Sequence, residues 1–406
     1  MAKKRSKSSL GWLWWLMAVV LLAAIGLIVF SCLPNDSIPV SARQAHQRVV
    51  DARSRTDGTS RKAVPHSPAA AKSAPRVAES APPNASAKPL EPATAVQPPS
   101  EPGAPPYAPE TITVCSFNIQ FLGSSKERDD EAMASVVRDY DIVVVQELVA
   151  PPYPITFSDG TSAKPDPQAA EFFDAMKANG FTYWLSEEDT GTGAAIHSNG
   201  TNTEWWVTFY KPGKVGKAED LPHGFLADDR SDNPDYERVP YAVSLRTEDS
   251  RMDFVLISVH LQPGAAAKDK ARRRHELSTI AAWVDAHDDK EKDFIILGDC
   301  NIENAAELRE DTPPGFLSLN DECRPTNTNV NGPKPYDHVF YRPGLTIEMD
   351  REFDMAVIDL VQAVKPLWKG PGTFPGDPYV HDEFRKVYSD HNPVVFRLKV
   401  GEKDDD

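Results

Sequence analysis

The chain has 406 residues, enough for one large domain or two of average size, and most of the excess of its 36 prolines lies before Thr111. A formal net charge of −16 argues against a chain that holds nucleic acid through a uniformly positive surface. Four cysteines are too few for a disulfide scaffold. An acidic chain with clustered carboxylates is more typical of an enzyme that uses metal ions.

The N-terminal part of the chain predicts a basic tail (1–9), a membrane span (10–32) and a disordered linker (33–109). The span is uncharged and long enough to cross a bilayer. Because basic residues precede it, the positive-inside tendency predicts a single-pass protein whose remaining residues lie outside the cytoplasm, in a periplasm or the extracellular space. A lipoprotein anchored at Cys32 and a cleaved signal peptide remain alternatives. The linker is rich in Ala, Pro and Ser and shows no sustained periodicity.

From Thr111 onward, apolar patterns predict strands with interspersed helices. Strands are expected at 111–119, 141–148, 182–185, 205–210, 241–246, 253–260, 293–297, 338–341 and 393–400. Helices are expected at 126–140, 169–179 and 268–287. This order predicts an α+β fold for residues 110–401, in which two packed sheets lie between outer helices, followed by an acidic tail at 402–406.

Polar residues recur at the C-terminal ends of the apolar strands. Asn118, Glu147 and His260 end three predicted strands, and Asp299 and Asn301 follow a fourth. A single Asn or Asp at a strand end commonly bonds the local backbone. The repetition of the pattern instead indicates that these side chains converge at one edge of the sheets.

The residue types suit hydrolysis of a phosphodiester. This reaction needs a general base for water, charge stabilisation at the phosphate oxygens and help for the leaving oxygen. Asn118, Glu147 and Asp390 offer hard oxygen ligands for Mg²⁺ or Ca²⁺. His260 and His391 are candidate proton carriers near neutral pH. Because the sequence shows no nucleophile elbow and no Gly-rich phosphate loop, direct attack by water is favoured over a covalent intermediate.

Six segments together resemble the endonuclease/exonuclease/phosphatase superfamily, the deoxyribonuclease I-like fold. They are SFNIQFL (116–122), VVVQEL (143–148), ISVHLQPG (257–264), ILGDCNIE (296–303), YDHVFY (336–341) and SDHNPVVF (389–396). The resemblance covers about 110–400 and implies a four-layer α/β sandwich. It also implies a divalent-metal-dependent hydrolase, most simply a nuclease that cleaves DNA or RNA with Mg²⁺, with Mn²⁺ or Ca²⁺ as alternatives.

The resemblance further implies roles for individual residues. Asn118 and Glu147 match the positions that hold the metal ion, and His260 and His391 match the two catalytic histidines. Asp390 matches a carboxylate that is paired with the second histidine or with the metal.

Further positions depend more closely on the family pattern. Asp299 and Asn301 match the pair that binds the phosphate and orients a histidine or water, and Asp337 matches another catalytic carboxylate. In the deoxyribonuclease I-like branch, Glu204 would pair with the first catalytic histidine and Arg238 would contact a substrate phosphate.

Other functions remain open at this point. A sphingomyelinase-like phospholipid diesterase or a phosphomonoesterase would use the same fold, and a catalytically silent binding module is a third alternative. The expected partners are a nucleic acid substrate and a membrane through residues 10–32, and no segment indicates an obligate protein partner.

Overall fold

The computed structural model describes residues 110–192, 196–197, 202–231 and 233–401. The predicted tail, membrane span, linker and C-terminal acidic tail lie outside these residues. Among the described residues, no helix is both long enough and apolar enough to cross a bilayer.

The first sheet is mixed and has six strands. They are β1 (Thr111–Leu122), β2 (Ile142–Leu148), β5 (Thr182–Leu185), β6 (Trp205–Tyr210), β14 (Ala356–Val357) and β15 (Val394–Lys399). Their order is β14–β15–β1–β2–β6–β5. Only β1 and β2 run parallel, while the other neighbours in this order are antiparallel. A separate hairpin, β3 (Ile155–Thr156) and β4 (Ser162–Ala163), follows β2.

The second sheet is also mixed and has seven strands. They are β7 (Val215–Lys217), β8 (Gly224–Phe225), β9 (Tyr241–Thr247), β10 (Asp253–His260), β11 (Phe294–Asp299), β12 (Leu317–Ser318) and β13 (Asp337–Tyr341). Their order is β12–β13–β11–β10–β9–β7, and β8 pairs with β9. Here β10 and β11 form the parallel pair.

The helices lie outside the two sheets. They are α1 (Asp130–Val137), α2 (Pro167–Ala178), α3 (Ala267–Asp285), α4 (Ala305–Asp311), α5 (Leu360–Val364) and α6 (His381–Val387). α1 is shorter than the predicted helix at 126–140, because the side chain of Asp129 accepts a hydrogen bond from the N–H of Ala132 and caps the helix there. α4, α5 and α6 were not predicted, since helices of five to seven residues show too little periodicity.

Three apolar layers separate the sheets and helices. In β1, Val114 packs between the two sheets, whereas Cys115 and Phe117 pack against the helices α1, α2, α5 and α6. In β10, Leu256 packs between the sheets and Ile257 packs against α3 and α4. Because side chains alternate across a strand, a strand buried on both faces is apolar throughout. The prediction of two packed sheets between outer helices is confirmed, and the layers follow the order helix, sheet, sheet, helix.

Candidate active site

Two central parallel strand pairs bring the polar strand ends together. Parallel strands end at the same edge of a sheet, and their antiparallel neighbours begin there. Side chains from the C-terminal ends of the parallel strands and from the N-terminal ends of their antiparallel neighbours therefore lie along this edge. β1 continues to Leu122, beyond its predicted end at 119, and Asn118 lies where its regular pairing with β2 stops. The other predicted residues lie at strand ends: Glu147 in β2, Glu204 before β6, His260 in β10, Asp299 in β11, Asp337 in β13 and His391 before β15.

Irregularities in the first parallel pair turn Glu147 toward Asn118. The register of β1 against β2 shifts between Asn118 and Leu122, and the register of β2 against β6 shifts around Glu147. Phe121 and Glu147 have positive φ angles of 50° and 63°, which are strained for residues other than glycine. The Glu147 carboxylate consequently accepts hydrogen bonds from Asn118 Nδ2 at 3.1 Å and from the Phe121 N–H at 3.0 Å.

A glycine lets the second parallel pair approach closely. Gly298 lies opposite Val259 and has a φ of 139°, and an added Cβ would sit 2.1 Å from the Val259 carbonyl oxygen. The next pair in this ladder is His260 and Asp299. Gly298 therefore allows the strand contact that places Asp299 beside His260.

The first buried histidine, His260, lies between two carboxylates. Its Nδ1 is 2.8 Å from Glu204 Oε1, and its Nε2 is 3.5 Å from Asp299 Oδ2. Glu204 Oε1 is also 2.6 Å from Arg238 Nε. Burial opposes ionisation of Glu204, but the charges of His260 and Arg238 outweigh it and lower the pKa of the carboxyl to about 2. Burial likewise opposes protonation of His260, and the Glu204 carboxylate overcomes this and raises the pKa of the imidazole.

The second buried histidine, His391, repeats the arrangement. Its Nδ1 is 2.8 Å from Asp337 Oδ2, and its Nε2 is 3.5 Å from Asp299 Oδ2. Burial opposes protonation of His391, but the charges of Asp337 and Asp299 prevail and raise the pKa of the imidazole well above its usual value. Burial keeps the pKa of Asp337 above its usual value despite the neighbouring imidazole.

Asp299 is the residue on which the two histidines converge. Its Oδ2 lies 3.5 Å from Nε2 of both His260 and His391 and accepts a hydrogen bond from Asn118 Nδ2 at 3.1 Å. Its Oδ1 accepts a hydrogen bond from the N–H of Asn301 at 2.8 Å. The Asn301 side chain donates to a main-chain carbonyl at 3.1 Å, so this residue orients Asp299 through its backbone.

Two of the three predicted metal ligands carry buried side-chain oxygens that a divalent cation would satisfy. Within the described residues, Asn118 Oδ1 and Asp390 Oδ1 are buried without a hydrogen-bond partner. Burial raises the pKa of Glu147, and a bound cation would favour its ionised form. A second grouping is also present, because Glu147, His260 and Asp299 each offer a ligand atom within 4.8 Å of the others. The all-oxygen set of Asn118, Glu147 and Asp390 suits the hard cations Mg²⁺ and Ca²⁺ better.

Two residues that the sequence analysis did not single out, Ser389 and Gln120, join the segment at 389–390 to β1 beside the predicted metal ligands. Ser389 Oγ donates to the Asn118 carbonyl at 2.7 Å and accepts from the Gln120 N–H at 3.2 Å. Gln120 Nε2 donates to Asp390 Oδ2 at 2.8 Å. Both residues lie inside the segments that carry the family resemblance, yet only their closeness in space reveals these contacts.

Arg238, for which the resemblance implies a phosphate contact, lies beside Glu204 with only 11% of its side chain exposed. Burial opposes its charge, but the carboxylate of Glu204 compensates and raises the pKa of the guanidinium. The position of Arg238 explains how Glu204 stays ionised, whereas its contact with a substrate remains a prediction.

A layered α/β sandwich in which two histidine–carboxylate pairs meet at the edge of facing sheets defines a hydrolase of the phosphodiesterase or nuclease type. The chain belongs to the Endonuclease/Exonuclease/phosphatase family, whose model matches residues 115–391.

Similar proteins include deoxyribonuclease gamma of Homo sapiens, which is 24% identical over 298 residues covering 70% of this chain and 85% of the relative. Deoxyribonuclease gamma of Rattus norvegicus is 24% identical over 309 residues, covering 71% and 85%. Among solved structures, an endonuclease/exonuclease/phosphatase family protein from Bacteroides thetaiotaomicron has a TM-score of 0.45 at 17% identity, covering 72% of this chain and 98% of that one.

Proposed function

We propose that this protein is a divalent-metal-dependent nuclease that cleaves DNA or RNA by direct attack of water on phosphorus. The observation that carries the proposal is the pair of buried histidines, each with Nδ1 2.8 Å from its own carboxylate and Nε2 directed at Asp299. The similarity to deoxyribonuclease gamma supports a nucleic acid as the substrate class.

The histidines are suited to move protons in both directions. The carboxylates of Glu204 and Asp337 face the Nδ1 atoms of His260 and His391, which leaves both Nε2 atoms directed into the site. One imidazole takes the proton of the attacking water and the other gives a proton to the leaving oxygen. Asp299, between the two Nε2 atoms, fixes their separation and stabilises whichever imidazole is protonated.

Asn118, Glu147 and Asp390 would hold the metal ion, for which we propose Mg²⁺, with Mn²⁺ or Ca²⁺ as alternatives. When bound, it supplies positive charge against the non-bridging phosphate oxygens. We propose that Asn301 and Arg238 contribute further hydrogen-bond donors to the phosphate.

A substrate panel with matched variants tests this proposal. The purified protein is incubated with plasmid DNA, RNA, sphingomyelin and inositol phosphates, with Mg²⁺ or with EDTA. We expect Mg²⁺-dependent cleavage of nucleic acid that is lost in His260→Ala. His275→Ala is the control, since His275 lies on the exposed face of α3 and contacts Asp235 at 2.8 Å. Hydrolysis of sphingomyelin or a phosphomonoester alone would contradict the nuclease proposal and favour the corresponding alternative.

We also propose that residues 10–32 anchor the enzyme in a membrane with the catalytic domain on the non-cytoplasmic side. The support is the uncharged apolar run and the basic residues before it. Extraction of membranes with alkaline carbonate, followed by protease digestion of intact cells, tests the anchor and its orientation. Release of the protein by carbonate would refute a membrane span, and labelling by a lipid precursor would identify the Cys32 lipoprotein instead.

A further inference from the structure

Gln120 is bound through three separate atoms beside the predicted metal ligands. Its N–H donates to Ser389 Oγ at 3.2 Å, and its side-chain Nε2 donates to Asp390 Oδ2 at 2.8 Å. Its carbonyl oxygen accepts a hydrogen bond from Arg128 Nη2. With 9% of its surface exposed, Gln120 is largely buried. Main-chain contacts on both sides of the residue therefore fix its backbone, and the side chain is directed at Asp390.

The position of Gln120 in the strand connects the two sides of the predicted metal site. It lies where the β1–β2 register shifts, between Asn118 and Phe121. Both of these neighbours donate hydrogen bonds to the carboxylate of Glu147, at 3.1 Å and 3.0 Å. The irregular segment 118–121 of β1 therefore contacts Glu147 through Asn118 and Phe121, and it contacts Asp390 through Gln120.

The hydrogen bond from Gln120 occupies only one oxygen of Asp390. The other oxygen, Oδ1, is buried and has no hydrogen-bond partner among the described residues. Arg385 Nη1 is 4.0 Å from Oδ2, the same oxygen that Gln120 binds. Such an oxygen is costly, and the charge of Asp390 also acts on the neighbouring carboxyl of Glu147, so a cation between these two residues would satisfy Oδ1.

We propose that Gln120 is a positioning residue, which fixes one oxygen of Asp390 so that the other is presented to the divalent metal ion. The inference rests on the proposed metal site of Asn118, Glu147 and Asp390. Hydrogen-bond partners that orient ligating carboxylates typically change metal affinity by about 10- to 100-fold when they are removed. Gln120 acts on metal binding through Asp390 and has no direct part in proton transfer.

The decisive variant is Gln120→Met, which keeps the length and the backbone contacts of the residue but cannot donate to Asp390. Titration calorimetry of the full chain with Mg²⁺ should show affinity weakened by about 10-fold or more. The Mg²⁺ concentration that gives half-maximal cleavage should rise by the same factor, whereas kcat at saturating Mg²⁺ and KM for DNA should change little. Gln120→Asn, whose amide is too short to reach Asp390, should behave in the same way.

Gln168→Met is the matched control. Gln168 is also a buried glutamine that donates to a carboxylate, since its Nε2 is 2.6 Å from Asp130 Oδ1, but Asp130 is not among the predicted metal ligands. This control should lower stability without changing Mg²⁺ affinity. In an Asp390→Asn background, Gln120→Met should weaken Mg²⁺ binding no further, because residues that act through one contact are not additive.

The possible results separate this inference from the proposed function. Failure of the unmodified protein to bind Mg²⁺, Mn²⁺ or Ca²⁺ would overturn the metal site itself and the inference with it. Normal metal affinity in both Gln120 variants would overturn only the positioning role. A raised KM for DNA at unchanged metal affinity would show that Gln120 contacts the substrate instead, and an additive loss in the Asp390→Asn background would show that it acts by another route.

Discussion

Substitution of Gly298 by alanine tests whether close contact between β10 and β11 builds the site. The added Cβ would lie 2.1 Å from the Val259 carbonyl oxygen, and both atoms belong to sheet backbone or are fixed to it. The φ of 139° adds strain for any residue with a Cβ. Relief of the clash requires the strands to separate near the hydrogen bond from the Leu261 N–H to the Asp299 carbonyl, which is 2.9 Å long. With about 1–3 kcal/mol of backbone strain and about 1 kcal/mol for each weakened hydrogen bond, we expect the free energy of unfolding to fall by about 3–5 kcal/mol.

The same movement displaces Asp299 from His260, and a shift of about 1 Å in an active site lowers the rate by about 100-fold. Denaturant titration gives the stability, and cleavage at a temperature where the variant is folded gives kcat. Gly315→Ala is the control, because Gly315 has a φ of 83° but no atom within 4 Å of an added Cβ, so only strain applies. Equal destabilisation by the two variants, or full activity in folded Gly298→Ala, would refute the reasoning.

Three further predictions concern groups around the site. Glu204→Gln should lower kcat by about 10²–10⁴-fold, because His260 loses the charge beside its Nδ1. It should also lower the free energy of unfolding, measured by denaturant titration, by about 3–5 kcal/mol, because Arg238 is left buried without its carboxylate. A kcat within 10-fold of the unmodified enzyme would contradict this prediction. Ser389→Ala should reduce stability by about 1–3 kcal/mol by leaving main-chain groups in the site unbonded, and an unchanged denaturation midpoint would argue otherwise. Burial lowers the pKa of His338 from 6.5 to about 4, so the unfolded chain binds more protons between these values. The free energy of unfolding should therefore fall as the pH drops through this window, by up to about 3 kcal/mol from this residue, and a pH slope that is unchanged in His338→Gln would exclude it as the source.

The layered fold was predictable because its strands are long and apolar on both faces. β2 and β11 each place apolar side chains in two different core layers, and this continuous pattern is visible in the sequence. Asn118, Glu147 and His260 were predictable from their position at strand ends. Glu204 and Asp337 were not predictable in this way, because each begins a strand, and only the family resemblance indicated their roles.

The contacts that orient the site depend on backbone irregularity and therefore could not be predicted. The side chain of Glu147 reaches Asn118 only because φ at Glu147 is 63°, and no local residue preference specifies a positive φ for glutamate. Gln120 and Ser389 lie 269 residues apart in sequence, and neither residue type is distinctive. Gly298 was visible in the motif ILGDCNIE, but the carbonyl that excludes a side chain there belongs to a different strand.

The proposed metal ion would offset part of the negative charge of the site. Five carboxylates surround the two imidazoles and one guanidinium: Glu147, Glu204, Asp299, Asp337 and Asp390, with His260, His391 and Arg238. Two further cations border this group, because Arg385 Nη1 lies 4.0 Å from Asp390 Oδ2 and Arg128 donates to the carbonyl of Gln120. Burial raises the pKa of Glu147, so without the ion its carboxyl gains a proton more readily, and metal affinity should fall as the pH is lowered because protons and metal compete for the same oxygens. A bound divalent ion would add two positive charges beside these carboxylates and so would reduce the repulsion that a phosphate meets in the site.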